Sequence, residues 1–395
     1  MRDHTIDRRS FLGASVAAGV ALAASRADAG AEGQQEFTAA VIGHTGQGDY
    51  GHGLDVIFNG VPGVRVLAVA DPDDAGRAKA AERTGAARRY GDYRQMLGKE
   101  KPQLVSIAPR WTDQHHAMAL AALAAGAHLV MEKPIATMPA EADEILAAAE
   151  KSGRKIAVAH QMRLAPGVLH LKKQIDGGMI GDLLQLDAWG KQDGRAGGED
   201  MMVLGVHLFD LMRFFAGDPR WCAARVLHQG RDLTASDARP AGEKIGPVGG
   251  DEIDATFGFD RGVIGTFRSR GRLRENIGHW GIEFTGSRGK ARLLADIHPR
   301  VFVSTPAPWS DAGRTEQWKP LPLPAEYAGG GTDSASANRR IIDDWLDAIR
   351  QDRQPACSGH AAAKAVEMVM AVYHAALSGA RVPFPLKDRR HPLAR

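Results

Sequence analysis

The chain has 395 residues, 44% hydrophobic and 25% charged, the balance of an ordinary soluble protein, which excludes disorder, collagen-like fibre and coiled coil. Its formal net charge is +3 with basic residues mixed among acids, so the basic stripe of a nucleic-acid binder is missing, and the locally basic tail (Lys387, Arg389, Arg390, Arg395) is expected to be solvated. Two cysteines, Cys222 and Cys357, lack CxxC spacing; buried free thiols are expected, with one long-range disulfide as the alternative.

In chain order the first feature is a leader at residues 1–29: Arg8-Arg9-Ser10-Phe11-Leu12, a mildly apolar run to Ala24, Arg26 and a small-residue site at Ala27-Asp28-Ala29. The apolar run, about 14 residues, is short of the ~20 that a spanning helix needs, so it reads as a signal and not as a membrane anchor. Its paired arginines resemble a twin-arginine leader, the route of chains exported already folded, and the periplasm is the expected location. The leader carries four arginines and three aspartates, which leaves +2 on the 366 residues that follow.

Thr38 to Gly43 (TAAVIG) is expected as a short buried strand, followed by HTGQGDYGHG and by Leu54, Ile57 and Phe58 at the spacing of a helix start. Strand, glycine turn and helix in this order suit a dinucleotide. Glycines take φ > 0 and let the backbone approach a pyrophosphate, while a helix N-terminus offers free N–H groups. Two frames fit: Gly46-x-Gly48-x-x-Gly51 has the strict spacing, whereas Gly43-x-Thr45-Gly46-x-Gly48 lies nearer the strand and puts Thr45 where a second glycine is usual. A second strand, Val64 to Ala70, ends at Asp71, placed to take the adenosine ribose hydroxyls. Asp73 and Asp74 behind it would repel a 2′-phosphate, so NAD is expected over NADP. Helices at 75–85, 113–125 and 139–151 alternate with strands Leu104–Ala108, His128–Met131 and Ile156–Ala159, the pattern of a doubly wound parallel sheet over 37–160.

Strand-like alternation at 183–189, 251–259, 262–270, 280–286 and 289–294, with helices at 201–215 and 337–351, marks a second, α+β domain. Glu132-Lys133-Pro134 closes the strand at 128–131 within AGAHLVMEKPIATMPAEADEILAAAEKSGRKIAVAHQMR. With LGVHLFDLMRFFAG and FTGSRGKARL further on, this stretch resembles the Gfo/Idh/MocA oxidoreductases over nearly the whole chain after the leader. The resemblance implies an α/β fold: an NAD-binding Rossmann domain at 37–160, then a C-terminal α/β domain at 161–386 with a large open, mostly antiparallel sheet. It also implies that the last helices pack back on the Rossmann domain and that the protein is a homo-oligomer, dimer or tetramer.

Lys133 and His207 match the family's residues that face the substrate beside the nicotinamide. Removing hydride from an alcohol carbon requires that the hydroxyl proton also be taken, and both side chains suit that task. Asp210 shares the helix face of His207 and is expected to orient it or to touch a hydroxyl. The expected cofactor contacts are Gly43, Thr45, Gly46, Gly48, Asp71, Pro109, His115, Glu132 and Lys133, with His115 matching the histidine of the family's P-N-x-x-H loop. That loop is two residues longer here and carries Arg110 and Trp111. Both are expected at the substrate, as are Arg163 and Lys191, the indole stacking on a sugar ring and the cations taking hydroxyls. The family's DxxxH acid is absent: Val203 stands in its place, and Asp200 or Glu199 is expected to take over. His44, His52, His115 and His116 form no HxxxH or HExxH spacing, so no metal is expected.

The function expected is hydride transfer between a tightly held NAD and a hydroxyl of a small carbohydrate-like substrate (a sugar, polyol or glycoside), the folded chain carrying its cofactor through export. The alternative is redox-neutral use of the same NAD, in which transient oxidation of a ring hydroxyl permits elimination of a glycosidic substituent or epimerisation. A catalytically silent, NAD-bearing binding protein comes third, and it needs neither Lys133 nor His207.

Overall fold

Short apolar runs between turn residues make the first half a parallel sheet, because strands buried on both faces need no polar alternation. The computed structural model describes residues 37–271, 280–304, 317–328 and 331–394; the expected leader lies outside them. The strands are β1 Phe37–Ile42, β2 Val64–Ala70, β3 Arg88–Tyr90, β4 Leu104–Ile107, β5 His128–Met131 and β6 Ile156–Val158, ordered β3-β2-β1-β4-β5-β6 and parallel throughout. Strand order reverses between β1 and β4, and the crevice beyond their carboxyl ends is where a doubly wound sheet takes its ligand. The helices Asp74–Thr84, His115–Ala124 and Pro139–Ser152 fall within two residues of the expected bounds. Asp73 caps the first by accepting from Gly76 N, and Gly85 ends it at φ 67°. The edge strand β3 and the helix Tyr93–Glu100 were not foreseen, since RRY is short and exposed and shows no apolar run.

The helix expected after the glycine loop is absent. Gly51–Gly53 makes one tight turn and the chain runs as turns to β2. Glycines at 51, 53, 60 and 63 with Pro62 leave only a handful of uninterrupted residues, too few to repay helix nucleation. Leu54, Ile57 and Phe58 are buried nonetheless. They pack in one cluster with Val41, Val69 and Trp345, the Phe58 and Trp345 rings 6.5 Å apart. Trp345 belongs to the helix Ser334–Arg350, so this late helix covers a sheet face beside the irregular crossover.

The second sheet has ten strands. β7 Leu183–Trp189 and β8 Trp221–His228 are joined by Glu252–Gly258, Ile264–Arg270, Gly281–Gly286, Lys290–Leu294, Arg300–Ser304, Lys319–Pro320, Val382–Pro383 and Arg231–Asp232. The pairing of β7 with Ile264–Arg270 is parallel and the others are antiparallel. The helix Val206–Ala216 lies on its inner face, Phe209 meeting Phe257 at 5.3 Å and Phe267 at 5.0 Å. The helix Gly359–Ser378 was not located from periodicity because it is buried nearly all round and shows no polar stripe. The basic tail is not simply solvated: Arg389 pairs with the buried Glu367 and with Asp143, and His391 and Leu393 are buried. Cys222 and Cys357 are free and buried.

Candidate active site

Glu132-Lys133-Pro134 follows β5 directly, so a strand end fixes it, and Glu132 and Lys133 are both buried. Across the domain boundary the helix Val206–Ala216 is preceded by a wide π-type turn, Met201–Gly205, a distortion often found at functional sites. Lys133 Nζ donates to the carbonyl of Val203 within that turn, at 3.3 Å. At the position where the family's acid is missing, a backbone carbonyl therefore receives the lysine. His207 stands one turn further on, and both side chains line a cavity of about 220 Å³ with His52, Gln161, Lys191 and Trp280.

Burial pushes the His207 pKa well below its ordinary value, with His160, Lys133 and His52 adding to the effect. His160 packs edge-on against it, ring centroids 5.1 Å apart, and is itself depressed to about 4 by burial. Both imidazoles are neutral at pH 7. The Nδ1 atoms of His207 and His160 are buried with no hydrogen-bond partner among the described residues, and a buried polar atom left unpaired costs about 1–3 kcal/mol.

Other expected site residues have structural partners. Asp210 accepts from Arg163 at 2.6 and 2.9 Å and is buried, so the pair ties the helix to the turn Gln161–Leu164 just after β6, and neither residue is among those lining the cavity. Burial works against the Asp210 charge, yet the Arg163 guanidinium holds the carboxyl below its usual value. Asp200 accepts from Ser269 Oγ at 2.6 Å and from the Lys191 and Gln192 amides, and burial raises its pKa. Glu199 binds Gly242 N and Arg239. Neither acid takes the place left by Val203. Trp111 lies under Lys244 at 5.7 Å, and Arg110 points to solvent while its amide donates to Gly48 O. The indole wall of the cavity is Trp280 instead. His115 is fully buried between the carbonyls of Pro109 and Pro134, at 2.7 and 2.8 Å, tying the β4 loop to the β5 loop. Lys191 does line the cavity, 3.7 Å from Asp193.

His52, Gln161 and Trp280 were not singled out as site residues from sequence. A signal existed for His52, which sits in the glycine-rich run, and for Gln161, in the same HQMR stretch as Arg163. Trp280 carried none.

The cofactor end lies at the carboxyl ends of β1 and β2. A second cavity, about 260 Å³, is bordered by Gly43, His44, Asp71, Asp92, Arg94 and Gln114, where the switch-point rule places an adenosine. Gly46 (φ 80°) has open space around it, and a Cβ on Gly48 would lie 2.4 Å from Trp111 N, the close approach for which a third fingerprint glycine is needed. These features fit NAD, with Gly43, Gly46 and Asp71 as its holders. Two features depart from the usual arrangement. The loop leads into no helix, and Asp71 is fully buried with its oxygens taken by Thr45 N, Thr45 Oγ1 (2.7 Å), Tyr50 OH (2.8 Å) and Asp73 N. A ribose hydroxyl reaches Asp71 only by displacing one of them. Glu132 likewise holds the His52 ring.

Among the described residues no group of three or more His, Cys, Asp or Glu is arranged to hold a metal ion, and no helix is long and apolar enough to cross a membrane.

Comparison with known proteins agrees with this architecture. Residues 37–160 match the Gfo/Idh/MocA model described as an oxidoreductase family with an NAD-binding Rossmann fold, and 172–384 match its C-terminal alpha/beta domain. D-apiose dehydrogenase of Paraburkholderia graminis is 26% identical over 343 residues, 84% of this chain and 86% of that protein. Levoglucosan dehydrogenase of Pseudarthrobacter phenanthrenivorans is 26% identical over 58% of this chain and 64% of its own length. A solved levoglucosan dehydrogenase in complex with NADH and L-sorbose shares the fold at TM-score 0.70 and 21% identity, over 89% of this chain and 100% of that one. With both domains matched and the EKP lysine and helix histidine at one cavity, the chain belongs to the Gfo/Idh/MocA oxidoreductases, with their NAD-binding Rossmann fold.

Proposed function

We propose that this protein is an exported NAD-dependent oxidoreductase acting on a hydroxyl of a sugar, polyol or glycoside. The observation that carries the reading is the convergence of Lys133 and His207, from separate domains, on one cavity walled by Trp280. An indole face suits the CH face of a sugar ring, and the surrounding donors suit its hydroxyls. Bound NAD supplies the acceptor for hydride from the carbinol carbon. Lys133 Nζ, held by the Val203 carbonyl, is placed to donate to the hydroxyl oxygen. His207, kept neutral by burial, offers a hydrogen bond rather than a charge. The names of the relatives, dehydrogenases of D-apiose and levoglucosan, support a carbohydrate as substrate class. The leader at residues 1–29 supports export of the folded chain with its cofactor inside.

The test is to express the full chain with its leader, fractionate the cells, identify any nucleotide carried by the periplasmic protein by mass spectrometry, and offer it sugars, polyols and glycosides. Bound NAD and a keto product with stoichiometric NADH are expected. Aglycone release without net NADH would replace the reading with its redox-neutral alternative, and a protein carrying no nucleotide and turning over none of these compounds would overturn it.

A further inference from the structure

His52 comes from the glycine loop, not from the elements that carry Lys133 and His207, yet it lines the same cavity. Both ends of the residue are held. Its Nδ1 lies 2.5 Å from Oε1 of the fully buried Glu132, whose Oε2 accepts from the Lys133 amide at 3.0 Å. Its carbonyl accepts from Asn338 Nδ2 at 2.8 Å, and Asn338 Oδ1 accepts from Gln161 of the cavity at 3.1 Å. The backbone sits at φ 45°, ψ 28°, a left-handed conformation that costs a non-glycine residue on the order of 1–3 kcal/mol and that clusters at functional sites. Next to it, a Cβ on Gly51 would lie 2.5 Å from Glu132 Oε1, so glycine is what lets the loop come this close to the carboxylate.

Burial alone would raise the Glu132 pKa, but the hydrogen bond from His52, the nearby Lys133 charge and the Lys133 amide hold the carboxyl below its usual value. An ionised carboxylate only accepts, so the neutral form of His52 donates its Nδ1–H to Glu132 and keeps the lone pair on Nε2. The other imidazole in the cavity is a poor proton acceptor, because burial disfavours its charged form. Lys133 Nζ is a donor to Val203. The His52 side chain, 42% exposed, can also return a proton to water.

We propose that His52, oriented by Glu132, takes the proton of the substrate hydroxyl, while Lys133 and His207 hold that hydroxyl by hydrogen bonds. The inference rests on the sugar-oxidation reading above. The O–H bond breaks and its proton forms an Nε2–H bond on His52. The O–H electron pair becomes the second C–O bond as the carbinol hydrogen leaves with its own pair for the oxidised nicotinamide. The charged and titratable groups facing His52 are Glu132, Lys133, His207, Lys191 and Asp296.

Two measurements decide it. The first, 15N NMR of the imidazoles in the resting protein at neutral pH, needs no substrate: an Nδ1–H tautomer at His52, lost in Glu132→Gln, is expected, and an Nε2–H tautomer overturns the proposal. The second compares wild type with His52→Gln on a substrate that wild type oxidises. A fall in kcat of roughly 10²–10⁴-fold is expected, with KM changed by less than about threefold, the acidic limb of the kcat–pH profile lost, and partial rescue of His52→Ala by added imidazole. Unchanged kcat and an unchanged acidic limb overturn the role of His52 and leave the sugar-oxidation reading standing. Wild type that oxidises no sugar is a failure of that reading instead, and the NMR tautomer still judges the His52–Glu132 pair.

Discussion

At the carboxyl ends of β1 and β2, Asp71 is saturated by donors from Thr45, Tyr50 and Asp73. Where the β5 end meets the helix Val206–Ala216, two buried imidazoles, His207 at the cavity and His160 packed behind it, each keep one nitrogen without a partner among the described residues. The contrast shows that a buried polar group can be kept in two ways: satisfied within the chain, so that a ligand must exchange with it, or left unpaired at a cost in stability. The first end is closed until a ligand competes for its donors, whereas at the second the Lys133 and His207 side chains already border open space.

The largest expected effect breaks the substrate end alone. Lys133→Ala should lower kcat/KM for the oxidised sugar by roughly 10²–10³-fold, the loss of one positioned donor, while NAD binding, followed by quenching of protein fluorescence, remains within about threefold. Equal loss of both would mean that Lys133 serves the cofactor and not the substrate. Next comes the tie between the helix Val206–Ala216 and the turn that follows β6. Arg163→Leu leaves Asp210 as an unpaired buried charge and should cost about 3–5 kcal/mol in denaturant unfolding; a loss under 1 kcal/mol would mean that water reaches the pair. Trp345→Ala, on the sheet face that carries the irregular crossover, should cost a similar ~3–5 kcal/mol, checked in the same melts.

Acid should expose the substrate end as the weaker of the two. The folded pKa of His160 is depressed to about 4, below its unfolded value near 6.5, so the unfolded chain binds more protons between these limits. Stability is therefore complete above about pH 6.5 and lost as pH falls toward 4, at about 1.4 kcal/mol per unit of depression. His207 adds in the same direction. The thermal midpoint should drop across this window and drop less in His160→Phe; an equal drop in both would remove His160 as the cause. The smallest effect sharpens the cofactor end. Tyr50→Phe removes one donor from Asp71 and should tighten NAD binding by about 2–10-fold, since a hydrogen bond of ~0.5–1.5 kcal/mol no longer has to be exchanged. Weaker binding would show that Tyr50 shapes the cleft rather than competing for it.

Much of the first domain was legible because its signals are local. The strand at 128–131 and the helix bounds near 74 and 139 follow from apolar runs, capping residues and spacing. The missing helix after the glycine loop was misjudged for the same reason. Leu54, Ile57 and Phe58 carry a helical spacing, but their burial comes from Trp345, nearly three hundred residues later, and not from a helix of their own. The site was only partly legible: Lys133 and His207 belong to recognisable motifs, while Arg163, expected at the substrate, and Asp210, expected to orient His207 or touch a hydroxyl, satisfy each other away from the cavity.

By itself the amino-acid order determined the alternation of strands and helices, the position of the glycine loop and the presence of the lysine and histidine motifs, because each depends on neighbours within a few residues. Only the tertiary structure decided which polar groups are already satisfied, that Val203 offers a carbonyl where an acid was missing, and that His52 meets Glu132. Hydrogen-bond partnership and burial arise between segments far apart in the chain, and composition and spacing carry no record of them.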